Sequence, residues 1–248
     1  MDKLTKNELL DKQLTKLSAE LERDPRINVH KCHINIRFEK NKIILDGDVD
    51  NIIAKRAALD LALRILSRGE WHIVDLLRVT KDIPVEDREL RDKIVLALTN
   101  EPVFTDYTIH TEVAGNIDMF RDKGIPNQAI MVTIKNGVIT LSGQVGSLTH
   151  RRLAEVLVWW LEGCQNVDNQ LQVVPAEEDN DNEINDAVRT ILEKDPLVHA
   201  SQLLVGTAGG VVVLNGSVAS EQEQKLAVLD AWYVPGVADV VDRIEARS

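Results

Sequence analysis

The sequence predicts an α+β fold of three tandem αββαβ units, here called repeats 1, 2 and 3, each a three-stranded mixed sheet packed on two helices. The pattern apolar-x-Leu-x-Gly-x-Val, which is typical of a half-buried strand, occurs three times. A helix that ends in an acid–proline pair precedes each copy, and an amphipathic helix follows it. The copies of the pattern are residues 43–49, 139–145 and 212–218.

The first helix of each repeat is predicted from an apolar stripe that stops before a proline. In repeat 1 the stripe consists of Leu10, Leu14, Leu17 and Leu21, at helical spacing. Proline pushes the residue before it out of α geometry, so each helix should end at its acid–proline pair. The pairs are Asp24-Pro25, Glu101-Pro102 and Asp195-Pro196.

The first two strands of each repeat are predicted to form a hairpin with the same register in all three copies. Asn and Gly tolerate positive φ and favour tight turns in the connections. The glycine in each second strand should need positive φ or close approach of the next helix. The first strands begin at Ile34, Ile130 and Leu203, the turns are residues 40–42, 135–137 and 208–210, and the structural glycines are Gly47, Gly143 and Gly216.

The second helix and the last strand complete each repeat. The helix ends at a glycine, a common C-terminal signal, and spaced apolar residues follow it as a strand. A β-α-β connection within one sheet makes the last two strands parallel. The predicted domains are residues 1–82, 83–176 and 177–248. The helix-ending glycines are Gly69, Gly163 and Gly236.

Repeat 2 contains an insertion at about residues 103–126. From Pro102 to Ile130 there are 28 residues, whereas the same connection takes nine residues in repeat 1 and seven in repeat 3. Residues 107–113 alternate well enough to pair as a strand. A loop of this length is either packed as an extra strand or used as a contact surface, and the sequence leaves both open.

These motifs resemble the BON family, named for bacterial OsmY and nodulation proteins, over all three repeats. The family pattern combines the acid–proline helix end, an Asn-Gly-type turn, the Val-x-Leu-x-Gly-x-Val strand and a Gly-Val-type turn. Repeat 2 matches best, through residues 136–145, and repeat 3 matches through residues 235–237. Repeat 1 departs most, because Asn41-Lys42 replaces Asn-Gly and the turn with Trp71-His72 is two residues longer.

The resemblance implies a bacterial, non-catalytic protein linked to stress such as osmotic stress, or to envelope homeostasis. Members are often proposed to bind phospholipid surfaces, and one relative that adds a second module to a BON domain binds potassium. We therefore expect a binding or scaffold protein whose partner is a membrane phospholipid or another protein, with self-association left open. The alternative is a sensor of a small ligand or a potassium-type ion, although the second module is absent from this sequence.

Basic residues early in the second helices are the candidate headgroup-binding residues. They stand nine residues after the structural glycines, with one basic neighbour in repeats 1 and 2: Arg56, Arg152, Lys225, Lys55 and Arg151. Cations near a helix start oppose the macrodipole, so they need a compensating interaction. One interpretation is a repeated surface for phospholipid headgroups. The other, which we favour, is ion pairing with acids such as Asp60 or Glu155.

Four aromatic residues are candidate partner contacts. Phe104, Tyr107 and Phe120 belong to the insertion, and Trp159 precedes Trp160 on a predicted helix. Adjacent helical residues point to different sides, and Trp160 fits the apolar stripe. Trp159 is predicted to lie at an interface between repeats, with a lipid-facing anchor as the alternative.

No constellation for catalysis stands out, so neither enzyme activity nor a cofactor is expected. His30, Cys32 and His33 cluster before a strand, but one cysteine and two histidines do not complete a tetrahedral zinc site. Strand parity predicts that Cys32 points inward and His33 outward. We therefore expect no metal site.

Charge and composition limit the partners and the compartment. The net charge of −11 repels phosphate backbones, so nucleic acid is not an expected partner. No stretch reaches the roughly 20 apolar residues of a membrane span. The residues after Met1 lack the apolar run of a signal peptide, so we expect a soluble, cytoplasmic protein if Met1 is the native start, although the family is often periplasmic.

Overall fold

The computed structural model describes residues 6–28, 30–66, 71–80 and 85–247. The chain divides into two compact units, residues 1–80 and 81–248, called unit 1 and unit 2. The α-β-β-α-β order recurs three times, once in unit 1 and twice in unit 2. The predicted α+β fold of repeated units is therefore confirmed.

Unit 1 contains repeat 1. Its elements are α1 (Lys6–Arg23), β1 (His33–Glu39), β2 (Lys42–Val49), α2 (Ile52–Leu66) and β3 (His72–Val79). Strand β1 pairs antiparallel with β2, and β2 pairs parallel with β3, as the crossover connection predicts. The buried residues alternate along β2, so one face of this sheet is covered and the other is open to solvent.

Repeat 2 forms the first part of unit 2 and has a six-stranded sheet. Its elements are α3 (Asp87–Asn100), β4 (Thr108–Val113), β5 (Asn116–Arg121), β6 (Ala129–Lys135), β7 (Val138–Val145), α4 (Leu148–Trp159), β8 (Asn166–Asn169) and β9 (Gln172–Val173). The insertion supplies β4 and β5: β4 pairs parallel with β6, and β5 pairs antiparallel with β4 at the edge of the sheet. The extra-strand interpretation of residues 107–113 is therefore correct.

Repeat 3 forms the second part of unit 2. Its elements are α5 (Asp181–Lys194), β10 (Leu203–Ala208), β11 (Val211–Val218), α6 (Glu221–Tyr233) and β12 (Asp239–Ala246). Strand β11 lies between β10, antiparallel, and β12, parallel. Repeat 3 therefore has the strand order and directions of repeat 1.

The predicted helix ends agree with the structure where it describes them. Helices α1, α3 and α5 each end one residue before the acid of the acid–proline pair. Gly163 and Gly236 follow α4 and α6 with positive φ of 92° and 95°. Gly69 and the predicted domain boundary near residue 83 lie outside the described residues.

The structural glycines have the positive φ that the sequence predicts. The φ angles are 118° at Gly47, 117° at Gly143 and 143° at Gly216. The close approach, however, comes from the neighbouring strand and not from a helix. A Cβ atom on Gly143 would overlap the backbone carbonyl oxygen of Ala129 in β6. Only glycine fits this point of the sheet, because any side chain would meet backbone that cannot move aside.

We expect Gly143→Val to lower the free energy of unfolding of unit 2 by about 3 kcal/mol, since it adds a backbone clash to an unfavourable φ. Denaturant unfolding of the full chain, followed by circular dichroism, measures this change. Gly206→Val is the matched control, because Gly206 lies in β10 with open space around its Cβ position. Equal stability of the two variants would contradict this account of the glycine.

Candidate functional site

The candidate basic residues of repeat 1 lie at the start of α2. Lys55 is buried, and its Nζ lies 2.6 Å from Asp75 Oδ2 and donates a hydrogen bond to the Leu77 carbonyl at 2.7 Å. Both partners belong to β3, so Lys55 fastens the second helix to the last strand. Arg56 is half-buried.

The candidate basic residues of repeat 2 lie at the start of α4 and face two different elements. The Arg152 side chain is only 4% exposed, and its Nη2 lies 2.6 Å from Asp179 Oδ1. Its Nε donates to the carbonyl of Pro235 at 3.0 Å. Arg151 Nη2 donates to the carbonyl of Asn169 at 3.2 Å. Arg152 thus joins repeat 2 to the start and the last turn of repeat 3, and Arg151 joins α4 to β8.

Lys225 has a third kind of environment. Its side chain is 80% exposed, and its Nζ lies 3.9 Å from Glu221 Oε2 on the same helix. The cations at the same register position, Arg56, Arg152 and Lys225, therefore have different environments in the three repeats. This geometry favours ion pairing for Lys55 and Arg152, with Asp75 and Asp179 as the acids instead of Asp60 and Glu155. A headgroup-binding role for the five basic residues stays a prediction.

We expect Arg152→Met to lower the free energy of unfolding of unit 2 by about 2 kcal/mol, because it removes two charge-assisted hydrogen bonds from a buried position. Lys225→Met, in the same register, should change it by less than about 0.5 kcal/mol, because an exposed ion pair contributes little. Denaturant midpoints of the two variants and the unmodified chain provide the comparison. A loss at Lys225 as large as that at Arg152 would contradict the assignment.

A second contact between repeats 2 and 3 forms at the end of α4. Trp160 Nε1 donates a hydrogen bond of 3.1 Å to Asp230 Oδ1 on α6. The Trp159 ring lies 6.4 Å, centroid to centroid, from the ring of Tyr233. Both tryptophans of repeat 2 therefore contact the second helix of repeat 3, and Trp159 is fully buried there.

Asp230 is a buried acid at this contact. Burial, together with the nearby carboxyl of Asp195, raises the pKa of Asp230 to about 8. At neutral pH Asp230 is therefore mostly protonated. Burial and the Asp230 charge also raise the pKa of Tyr233 to about 12. Asp230 therefore adds little negative charge to the contact between the repeats at neutral pH.

Stability should depend on pH through Asp230. Its folded-state pKa of about 8 lies above the ordinary value of 3.8, so its contribution is complete below pH 4 and is lost as the pH rises towards 8. We expect the free energy of unfolding of unit 2 to fall by about 4 kcal/mol from pH 5 to pH 8 through this group, at roughly 1.4 kcal/mol per pH unit. Asp230→Asn should remove this slope, and Asp106→Asn, at an exposed position, should keep it. Identical slopes in all three proteins would refute the assignment.

The candidate aromatic contacts are mostly core residues. Phe104, Tyr107 and Trp159 are buried within unit 2, whereas Phe120 is 42% exposed on the edge strand β5. Arg91 lies over the Phe120 ring, with Cζ 5.5 Å from the centroid. Of these four aromatic side chains, Phe120 alone is exposed enough to contact a partner protein without a change in the fold of unit 2. The sequence could not separate the four, because aromatic type alone does not fix burial.

In each repeat a side-chain pair joins a residue that precedes the sheet to the region where the second helix starts, and the chemistry of the pair differs between the repeats. In repeat 2 the Tyr107 hydroxyl accepts a hydrogen bond from the Gly146 N–H at 2.9 Å. In repeat 3 burial acts to raise the pKa of Glu223, but hydrogen bonds from the N–H groups of His199 and Ala219 outweigh it and lower the pKa. The side-chain pairs are Cys32–Asp50 at 3.5 Å, Tyr107–His150 at 3.1 Å and His199–Glu223 at 2.8 Å.

Cys32 and His33 of repeat 1 have the predicted parity, with Cys32 buried and His33 exposed. Within the described residues, no group of three or more His, Cys, Asp or Glu side chains is arranged to hold a metal ion. Of the helices in the described ranges, none is both long and apolar enough to span a bilayer.

Comparison with known proteins gives a family match for unit 2. A model of the BON domain matches residues 105–175 and 180–248, in repeats 2 and 3. No curated protein sequence matches the chain.

Solved structures that resemble the chain include the C-terminal domain of CdsD, the structural protein of the type III secretion system of Chlamydia trachomatis. Its sequence is 14% identical to that of this chain, the TM-score of the superposition is 0.24, and the alignment covers 100% of both chains. A second structure of CdsD from Chlamydia trachomatis is 16% identical with a TM-score of 0.24, over 94% of this chain and 91% of that one. At these TM-scores neither structure bears on the fold or function of this chain.

Proposed function

The chain belongs to the BON family, and on that premise we propose that it is a non-catalytic binding or scaffold protein. Its partner is a phospholipid surface or another protein, and its role lies in stress or envelope homeostasis. The family resemblance supports this proposal, because BON proteins are regarded as non-catalytic and are often proposed to bind phospholipid.

We also propose that repeat 1, residues 1–82, is a third and divergent BON domain, beside domains at residues 83–176 and 177–248. Repeat 1 supports this by its element order and by a glycine with positive φ, Gly47, in its central strand. Its turn has Lys40 and Asn41 in positive φ, where repeat 2 has Asn136 and Gly137. The turn of repeat 1 thus has the same two positive φ angles as the turn of repeat 2, but it reaches them with residues that favour positive φ less than Asn-Gly does. This substitution is where repeat 1 diverges from the family pattern.

One observation carries the non-catalytic interpretation: three buried charged side chains of the described residues are engaged in contacts within the protein. Lys55 is paired with Asp75, Arg152 is paired with Asp179, and Glu223 accepts hydrogen bonds from the backbone of the segment before β10 and from the end of β11. Charged groups that serve catalysis converge on a cleft and keep an open side for substrate. Here Lys55, Arg152 and Glu223 fasten elements of the fold to one another.

Flotation and thermal shift separate the candidate partners. A phospholipid-binding protein should float with anionic vesicles at low salt and be released at physiological salt, because exposed charges are screened within about 8 Å there. A scaffold for a protein partner should stay at the bottom of the gradient under both conditions. For either partner we expect potassium, sodium and calcium chlorides of equal ionic strength to shift the melting temperature alike. A shift specific to potassium would overturn the proposal in favour of an ion sensor.

A further inference from the structure

The net charge of −11 is distributed very unevenly along the chain. Residues 1–80 hold 15 Lys and Arg against 13 Asp and Glu, a net charge of +2. Residues 81–248 hold 14 against 27, a net charge of −13. The negative net charge that repels anions therefore belongs to unit 2. The net charge of unit 1 is slightly positive, so unit 1 can attract anions.

Unit 1 also has a groove between its two helices, with a volume of about 780 Å³. Leu9, Leu61 and Ile65 give it apolar surface. A groove of this size, bounded by two helices and partly apolar, suits the side chains of a helical or extended peptide. A bilayer surface is flat on this scale and would not enter it.

Three cations of α1 line this groove: Lys12, Lys16 and Arg23. All three are exposed, and none of them makes an ion pair with another described residue. The acids of the groove only partly offset them, since Asp24 is already held by Arg26 at 2.7 Å, which leaves Glu20. The groove therefore presents a surplus of positive charge to a ligand.

Gln13 adds an unusual polar group to the groove. It is 8% exposed, and its Nε2 donates to the carbonyl of Ile65 at 3.1 Å. Its Oε1 has no donor among the described residues. A buried acceptor without a donor costs stability, which a ligand N–H would recover. A backbone N–H in the first turn of a helical peptide, or in an extended one, is such a donor, whereas a phosphodiester carries none.

The other two repeats show what this helix face is like when it serves packing. Twelve residues before the proline, where repeat 1 has Gln13, they have the buried Leu90 and Ile184. Seventeen residues after the structural glycine, where repeat 1 has Arg64, they have Trp160 and Tyr233.

Repeat 1 also has a basic residue, Lys12, at the position where the other two repeats have the acids Glu89 and Glu183. Trp160 and Tyr233 make the contact between repeats 2 and 3 described above. The helix face of repeat 1 therefore has cations and an amide where its counterparts have acids, aliphatic side chains and aromatic rings.

We propose that the α1–α2 groove of unit 1 docks an acidic, amphipathic peptide segment of a partner protein. The apolar side chains of the segment lie against Leu9, Leu61 and Ile65, and its carboxylates face the cations of α1. This inference rests on the proposed binding function and names the partner class and the surface.

The test uses the full chain and a fluorescent 16-residue helical peptide with Leu on one face and Glu on the flanks. A second peptide has Gln in place of each Glu. The groove variant is Lys12→Gln, Lys16→Gln, Arg23→Gln, and the control variant is Lys31→Gln, Lys40→Gln, Lys42→Gln. Both variants remove three exposed positive charges from unit 1. Fluorescence anisotropy at low and physiological salt measures the affinity.

We expect the groove variant to bind the acidic peptide roughly tenfold more weakly, since three exposed ion pairs are lost. The control variant should stay within about twofold of the unmodified chain. The Gln peptide should bind weakly to all three proteins. Lys12→Glu, which introduces the residue type of repeats 2 and 3, should fold normally and weaken binding in the same direction.

Three results would overturn the inference. The first is no binding of the acidic peptide at low salt, and the second is an equal loss in the groove and control variants, which would mean unspecific attraction. The third is flotation with anionic vesicles that the groove variant abolishes while the peptide fails to bind. That result would assign the groove to a membrane and leave the proposed binding function intact.

Discussion

The central strand of each repeat depends on one close backbone contact. At Gly47 and Gly143 the carbonyl oxygen of a residue in the neighbouring strand occupies the place where a Cβ atom would stand, and at Gly216 that oxygen belongs to Gln202, the residue just before β10. The chain passes this point with positive φ, the second strand continues to a buried valine, and the second helix begins three residues after that valine in each repeat. The position of that helix, and of everything packed on it, follows from this contact. The spacing from the glycine to the helix residues is consequently the same in all three repeats.

Helix positions fixed in this way bring repeats 2 and 3 together through a small number of polar contacts. Arg152 reaches Asp179 and Pro235, and Trp160 reaches Asp230. The first helices are joined as well, because Lys194 Nζ lies 2.6 Å from Glu101 Oε1. Buried ion pairs contribute little net stability but penalise other arrangements strongly, since an unpaired buried charge is costly. Such contacts suit an assembly whose repeats must keep one relative orientation.

Functional differences lie in the positions that vary while the scaffold stays constant. Near the start of the second helix the three repeats hold different side-chain pairs, at positions that are not equivalent in sequence: a thiol–carboxylate pair, a phenol–imidazole pair and an imidazole–carboxylate pair. The first-helix face varies more strongly, from a packing surface in repeats 2 and 3 to a cationic groove in repeat 1. A tandem of similar units can in this way assign assembly to some copies and ligand contact to another.

Much of this architecture was determined by the sequence alone, because its signals are local. Proline ends α1, α3 and α5, period-two alternation defines the strands, and a glycine at constant spacing sets their register. The tertiary structure alone decided which in-register cation is buried, Arg152 and not Lys225, since that depends on whether another repeat covers the helix. It also decided that the last strand of repeat 2 is split into β8 and β9, and that Asp230 meets Trp160 from 70 residues away in sequence. Local patterns fix backbone angles and the face that a residue occupies, whereas the neighbour of that face is chosen by packing between segments far apart in the chain.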